Sequence, residues 1–353
     1  MTQTKRESGI ELFRIITMLV IVAHHYFINS NLKELVYEGA LTANSIFLLL
    51  FGWGGKTGIN CFVLITGYFM CNSKITLKKF LKLLLWVELY KVIFYLIFTL
   101  TGYQPFGIKT MLKSLLPITG VSRGFISAYL LFYLFIPFLN IAVRGMNKKL
   151  HLLLIALCLF VYTILGTVFA VEFNYITWFI VIYFIGSYLR LYEESWFSNN
   201  KIWGTATVIS LILSWGSVLV CTWLSKKLNM SIYYYFVSDS NRPLAVITAV
   251  CAFMYFKNLK IGYRKSINTI ATSAFGVLCI HANGAAMRQW LWEDVLQNAK
   301  FFESNLLWLH ATISVLAIYT VCTLIDMCRI KWIEKPVFKL YDKICLKRKG
   351  ELK

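Results

Sequence analysis

Four side chains in the apolar stretch ELFRIITMLVIVAHHY, residues 11–26, are of types that do chemistry: Glu11, Arg14, His24 and His25. Each is costly in hydrocarbon, so each marks a candidate functional site. On a helix, Arg14 and His25 are predicted to fall within roughly 20° of one face and about 16 Å apart along the axis. His24 lies off that face. A guanidinium near a membrane surface suits a phosphate, and an imidazole serves as general acid or base near neutral pH. The separation resembles the reach of a thioester cosubstrate whose nucleotide stays on one side while its acyl end points across, which spacing alone does not establish. The competing reading has Arg14 snorkelling to the interface and the histidines satisfying each other or a nearby hydroxyl. Glu11, three residues before Arg14, is placed to pair with it.

The elements that must hold these groups are membrane helices. With 58% hydrophobic and 15% charged residues over 353 positions, and a positive mean hydropathy, the chain reads as an integral membrane protein. Arg14 interrupts the first apolar run, which is therefore expected to remain as a span and not to be removed as a signal sequence. The nine cysteines are scattered, with no closely spaced pairs of the kind that bind zinc or exchange disulfides, and read as small core hydrophobes. The net charge of +20 does not point to nucleic acid, because the basic residues lie between apolar segments and not on one solvated module.

Apolar windows of about 20 residues predict an all-α, polytopic protein with about ten transmembrane helices. They run approximately Gly9–Asn29, Ser45–Met70, Phe80–Tyr103, Gly124–Ala142, Leu150–Ala170, Ile176–Leu191, Ile202–Leu224, Pro243–Phe256, Asn268–Trp290 and Asn305–Cys328. The second holds Lys56 among Gly52, Gly54, Gly55 and Gly58 and is expected to be broken or to start late; the eighth is short. With the N-terminus cytoplasmic, 24 of the 36 basic residues fall on the inner side and 9 on the outer. The positive-inside rule thus places both termini in the cytoplasm. Residues 1–340 are expected to form the membrane domain and 341–353 a basic cytoplasmic tail attracted to anionic lipid.

An Arg followed by ten residues and a His in the first span resembles the signature of the acyltransferase-3 family of bacterial integral membrane acyltransferases. The resemblance continues through GINCFVLITGYFM (Gly58–Met70), RGFISAYLLFYLFIPFLN (Arg123–Asn140), WFIVIYFIGSYLRL (Trp178–Leu191), TSAFGVLCIH (Thr272–His281) and IEKP (Ile333–Pro336). It implies an O-acyltransferase of the bacterial plasma membrane that takes an acyl group, usually acetyl, from cytoplasmic acyl-coenzyme A to a hydroxyl of an extracytoplasmic or lipid-linked cell-surface glycan. On this resemblance His25 is the catalytic histidine and Arg14 its companion toward acetyl-coenzyme A; Glu11, by its spacing to Arg14, and His24, as the neighbour of His25, are supporting candidates. The doublet His24-His25 departs from a lone histidine, and the face argument selects His25.

Thr66-Gly67-Tyr68 stands where many relatives carry Ser-Gly-Phe or Ser-Gly-Tyr. The second span, running inward, would bring Thr66 and Tyr68 toward the cofactor near Arg14, with Gly67 permitting close helix approach. Asn60, nearer mid-span, needs a polar partner and is a candidate for the substrate site. His281, sixteen residues beyond Lys265 and so about 24 Å deep, is a candidate on the acceptor side, the alternative being a hydrogen-bonded core histidine. Arg288 and Trp292 at the outer end of the same span are placed to meet sugar hydroxyls and ring faces, or to anchor at the interface. Glu88 and Lys91 are expected to neutralise each other, Asp326 to be structural, and His151 and His310 are assigned no role.

Ten spans with buried charges would equally suit a transporter or flippase of a lipid-linked sugar. The absence of an internal repeat, together with Arg14 and His25 on one face and the family motifs, favours the enzyme.

Overall fold

The computed structural model describes residues 7–114, 116 and 124–350, and among them there are helices and turns but no strands. Lys5, Arg6, Arg123 and Lys353 of the basic count, and the first residue of the Arg123–Asn140 stretch, lie outside the described residues.

In chain order the helices are α1 (Ser8–Ile28), α2 (Leu32–Glu38), α3 (Ala43–Phe51), α4 (Gly55–Met70), α5 (Leu77–Leu100), α6 (Ile108–Ser114), α7 (Phe125–Gly145), α8 (Lys148–Val168), α9 (Tyr175–Leu191), α10 (Asn200–Leu228), α11 (Pro243–Lys257), α12 (Lys265–His281), α13 (Ala285–Phe301) and α14 (Leu307–Cys345). Seven, counting α3 and α4 as one broken unit, are long and apolar enough to cross a membrane, and eight if α12 and α13 form one bent span. Each of the ten expected segments is helical, but length and apolarity do not carry the count to ten: α9 and α11, at 17 and 15 residues, are shorter than a standard crossing.

The centre of the bundle is α4, with 12 of its 16 residues buried against 4 of 24 in α5. It packs on α1, α9 and α11. Its crossing with α9 is close because two glycines meet there: a Cβ on Gly67 would stand 3.0 Å from the Tyr183 backbone, and one on Gly186 would stand 2.8 Å from the Leu64 carbonyl oxygen. Small residues of this kind let helix backbones pack tightly where the hydrophobic effect gives no drive. Gly67 therefore does what its position in the sequence suggested.

The second span is broken, as the glycines predict: α3 stops at Phe51 and α4 begins at Gly55. Inside a membrane protein, carbonyls freed at such a break need partners. His24 supplies one, with Nδ1 donating to the Gly52 carbonyl at 2.6 Å. Gly55 makes room for that ring, since a Cβ there would lie 2.2 Å from the imidazole.

The ninth expected span, Asn268–Trp290, is not straight. The chain turns by 99° between His281 and Ala285, at Ala282-Asn283-Gly284. Asn283 satisfies part of the break by donating to the Cys279 carbonyl at 2.9 Å. Trp292, beyond the bend, is fully buried, with its ring edge-on to Tyr26 and His281. The expected interfacial anchor is thus a core residue, because the bend folds α13 back onto the bundle.

Candidate active site

The first helix runs unbroken from Ser8 to Ile28 and carries Arg14 and His25 into two different cavities. Arg14 lines one of about 340 Å³, with Thr66 on α4, Lys82 and Trp86 on α5, Tyr129 on α7, Phe275 on α12, and Arg329 and Glu334 on α14. His25 lines another of about 530 Å³, with His24, Lys56, Lys91, Tyr175, Asn283 and Arg288. Phe62 on α4 lines both, and its ring packs against Phe125, Tyr129 and Phe275 at centroid distances of 5.9 Å. The two cavities therefore meet at an aromatic cluster between the guanidinium and the imidazole.

The hydrogen bonds of His25 fix the role of each ring nitrogen. Val277 O, on the preceding turn of α12, lies 2.6 Å from Nδ1 of His281. A carbonyl only accepts, so that Nδ1 carries the proton, and Nε2 of the neutral His281 ring is an acceptor. Nδ1 of His25 lies 2.9 Å from that Nε2 and is therefore the donor. What remains is Nε2 of His25, a lone pair on a ring that lines the cavity.

His281 is fully buried and is not among the residues lining the cavity; of the two places the sequence offered it, the hydrogen-bonded core position is the one it occupies, against the His25 ring. His24 is tied to Gly52 and belongs to the break between α3 and α4.

At the other end, Nη1 of Arg14 donates to Glu11 at 2.9 Å, the pairing that the three-residue spacing suggested. The Arg14 side chain keeps 22% of its surface, and Glu11 is buried. Beside it, Arg329 donates through Nε to Asp326 at 2.8 Å and through Nη1 to Glu334 at 2.6 Å, and Lys82 pairs with Glu334 across α5 and α14. Asp326 also accepts from Trp86 Nε1 at 2.9 Å and Tyr90 OH at 2.8 Å. This buried carboxylate is saturated with donors, as a buried charge must be. Glu334 belongs to the IEKP stretch, so that motif ends on the wall of the Arg14 cavity.

The remaining expected residues divide. Thr66 lines the Arg14 cavity and bonds to Tyr129 OH at 2.9 Å. Tyr68 is not in it: the hydroxyl accepts from Arg190 at 2.8 Å and the ring packs edge-on to Phe253, because it projects from the opposite side of α4. Asn60 is fully buried between the Ser240 carbonyl, to which it donates at 2.7 Å, and Trp178 Nε1, from which it accepts at 2.8 Å. With both partners inside the protein it braces α4 to α9 and is not placed to meet substrate. Arg288 does line the His25 cavity, carried there by the bend.

Sequence reasoning passed over Lys56. On the first turn of α4, its Nζ donates to Tyr175 OH at 2.5 Å and stands 3.4 Å from Asp239. The signal was a lysine inside a membrane segment, but its partners come from elements far along the chain. His151 and His310 are held in structural contacts, to the Phe184 carbonyl at 3.0 Å and to Tyr26 OH at 2.8 Å.

Residues 7–327 match the family model described as an acyltransferase domain, that of acyltransferase-3. No curated protein and no solved structure matches the chain. Nearly the whole bundle, including both cavities but for Arg329, Ile330 and Glu334, falls within the family match, and the protein belongs to the acyltransferase-3 family of membrane acyltransferases.

Proposed function

We propose that the protein is an O-acyltransferase, and specifically an O-acetyltransferase, of the bacterial plasma membrane. It would move the acyl group of cytoplasmic acyl-coenzyme A to a hydroxyl of an extracytoplasmic or lipid-linked cell-surface polysaccharide. Both termini would be cytoplasmic, with Arg14 toward the inner face and His25 well across the membrane; the distribution of basic residues supports that orientation.

The observation that carries this reading is the relay from Val277 through His281 to His25, which leaves a basic nitrogen on the cavity side of a helix whose other end presents Arg14. A hydroxyl is a poor nucleophile until its proton is being removed. Nε2 of His25 takes that proton as the acceptor oxygen attacks the thioester carbonyl. The carbon–oxygen bond forms, the carbon–sulfur bond breaks, and the proton passes from His25 to the departing thiolate. His281 accepts a hydrogen bond from Nδ1 throughout and so holds the ring in the reactive tautomer, the role a carboxylate plays in hydrolase triads. Arg14, with N–H donors beyond the one given to Glu11, suits the phosphates of the donor, whose pantetheine arm would then run past Phe62 to His25.

Surface-glycan acetyl content in a deletion strain tests the reading. Wild-type complementation should restore acetylation and His25→Ala should not. Unchanged glycan acetylation in the deletion strain would sink it.

A further inference from the structure

The cavity at His25 adjoins a second one of about 460 Å³, the two sharing His24, Ile28 and Lys56. The charged side chains that line the pair are Lys56, Lys91 and Arg288 in the first and Lys56 and Arg242 in the second; no carboxylate lines either. Lys91 has Glu88 at 3.8 Å, and Lys56 has Asp239 at 3.4 Å. Asp239 and Glu172 line a third cavity, on the far side of Lys56 and Tyr175, so the positive lining is that of the first two cavities alone and its unpaired cations are the two arginines. Arg288 and Arg242 have no carboxylate within ion-pair distance among the described residues. Arg288 gives only Nε to the Gly284 carbonyl, at 3.2 Å. Arg242 gives Nη1 to the Gly166 carbonyl at 2.7 Å and leaves Nε buried without a partner.

The contrast with the Arg14 cavity is chemical. There each lining cation already has a carboxylate: Glu11 for Arg14, Glu334 for Lys82, Asp326 and Glu334 for Arg329. A low-dielectric cleft lined by charges of one sign focuses its field and concentrates ligands of the other sign. Aromatic side chains stand beside the cationic ones, Tyr175 in the first cavity and Trp53 and Tyr233 in the second; the Tyr175 and Tyr233 rings are stacked on Phe179 and Tyr37, so the cations and not the ring faces are what these walls present.

We propose that the acceptor is anionic, with a carboxylate or phosphate held by Arg288, and with Lys56 and Arg242 along the same path. The source is either an acidic glycan, such as a uronate chain, or the phosphate of a lipid-linked sugar. The donor does not account for this site. Its phosphates are separated from the thioester by the full pantetheine arm, so a thioester at His25 leaves them at a distance from a residue lining that cavity. The inference rests on the acyltransferase reading for the identity of His25 as the reacting centre.

The test uses the full-length protein in nanodiscs of zwitterionic lipid. Binding of oligogalacturonate, of a neutral maltooligosaccharide of equal length, and of polyprenyl diphosphate-linked N-acetylglucosamine is measured at low and high salt. At least one anionic probe should bind about tenfold or more tightly than the neutral chain, and added salt should weaken it. The tighter of the two anionic probes identifies the source. Arg288→Gln should remove that preference while the affinity for coenzyme A stays unchanged, and Arg288→Lys should restore part of it. Equal binding of charged and neutral chains, no measurable anion binding, or an undiminished preference in Arg288→Gln overturns the proposal. Acyl transfer by the wild type without anion preference defeats this proposal alone, whereas anion preference without any acyl transfer defeats the enzyme reading and leaves an anion site.

Discussion

Nδ1 of His25 donates to Nε2 of His281 across the contact between α1 and α12, at 2.9 Å. On the proposed mechanism this makes His281 a positioning residue. His281→Leu should lower kcat by about 10–100-fold, the scale seen when a metal-bound histidine loses the group that orients it, with KM for the acyl donor little changed. His281→Gln, whose side-chain oxygen can accept from the same Nδ1, should recover part of the loss. A pH–rate profile in which His281→Leu leaves the limb of the general base unmoved would show that the contact is only structural.

His25 and His24 should separate cleanly. His25→Ala is expected to cost about 10²–10⁴-fold in transfer rate with normal abundance and insertion. His24→Ala removes the bond to Gly52 and should cost about 1 kcal/mol of stability, read as a lower unfolding temperature in detergent, while activity is largely kept. The reverse pattern would refute the assignment of the base to His25.

Arg14→Ala should raise the apparent KM for acetyl-coenzyme A by about 10–100-fold, the worth of a hydrogen bond to a charged group. Arg14→Lys should rescue part of it, since a point charge lacks the fork. An unaltered donor affinity in purified protein would remove Arg14 from the donor site.

Phe62 stands between the Arg14 and His25 cavities, so its size should control passage and not binding. Phe62→Trp is expected to reduce kcat severely with coenzyme A affinity preserved. Phe62→Ala should retain transfer and tolerate bulkier acyl chains. If Phe62→Trp transfers at the wild-type rate, the donor arm does not take this route.

Reporter fusions test the orientation. A cytoplasmic signal is expected at Lys353 and an extracytoplasmic one in the segment of residues 34–41. An extracytoplasmic signal at Lys353 would overturn both the topology and the side from which the donor arrives.

What the sequence made legible is what lies within one regular helix. The Arg14–His25 relationship and the Glu11–Arg14 pair follow from the α-helical period alone, and the glycine run around Lys56 announced the break before α4. Relationships between segments were not legible. That Asn60 needs a partner follows from burial, but that Trp178 and Ser240 would satisfy it, and so withdraw it from the substrate site, depends on how α4 packs. Tyr68 was placed with Thr66 because the two share a depth in the second span, yet residues two apart on a helix point about 200° from one another. The bend after His281 was hidden because apolarity continues through it; Asn283-Gly284 is its one local turn signal.

That bend also works as a gauge. His281 stands just before it and Arg288 just after, seven residues on, so the group that orients the base and the group proposed to hold the anion are joined by one short covalent tether. Even fully extended, seven residues span no more than about 25 Å, and helix on both sides of the 99° turn shortens that considerably. On that proposal, the distance from reacting hydroxyl to negative charge would be set by the chain itself and not by a contact between separate segments. Regiochemistry along the acceptor would be read out as a length: the hydroxyl modified is the one that lies a fixed interval from the charge.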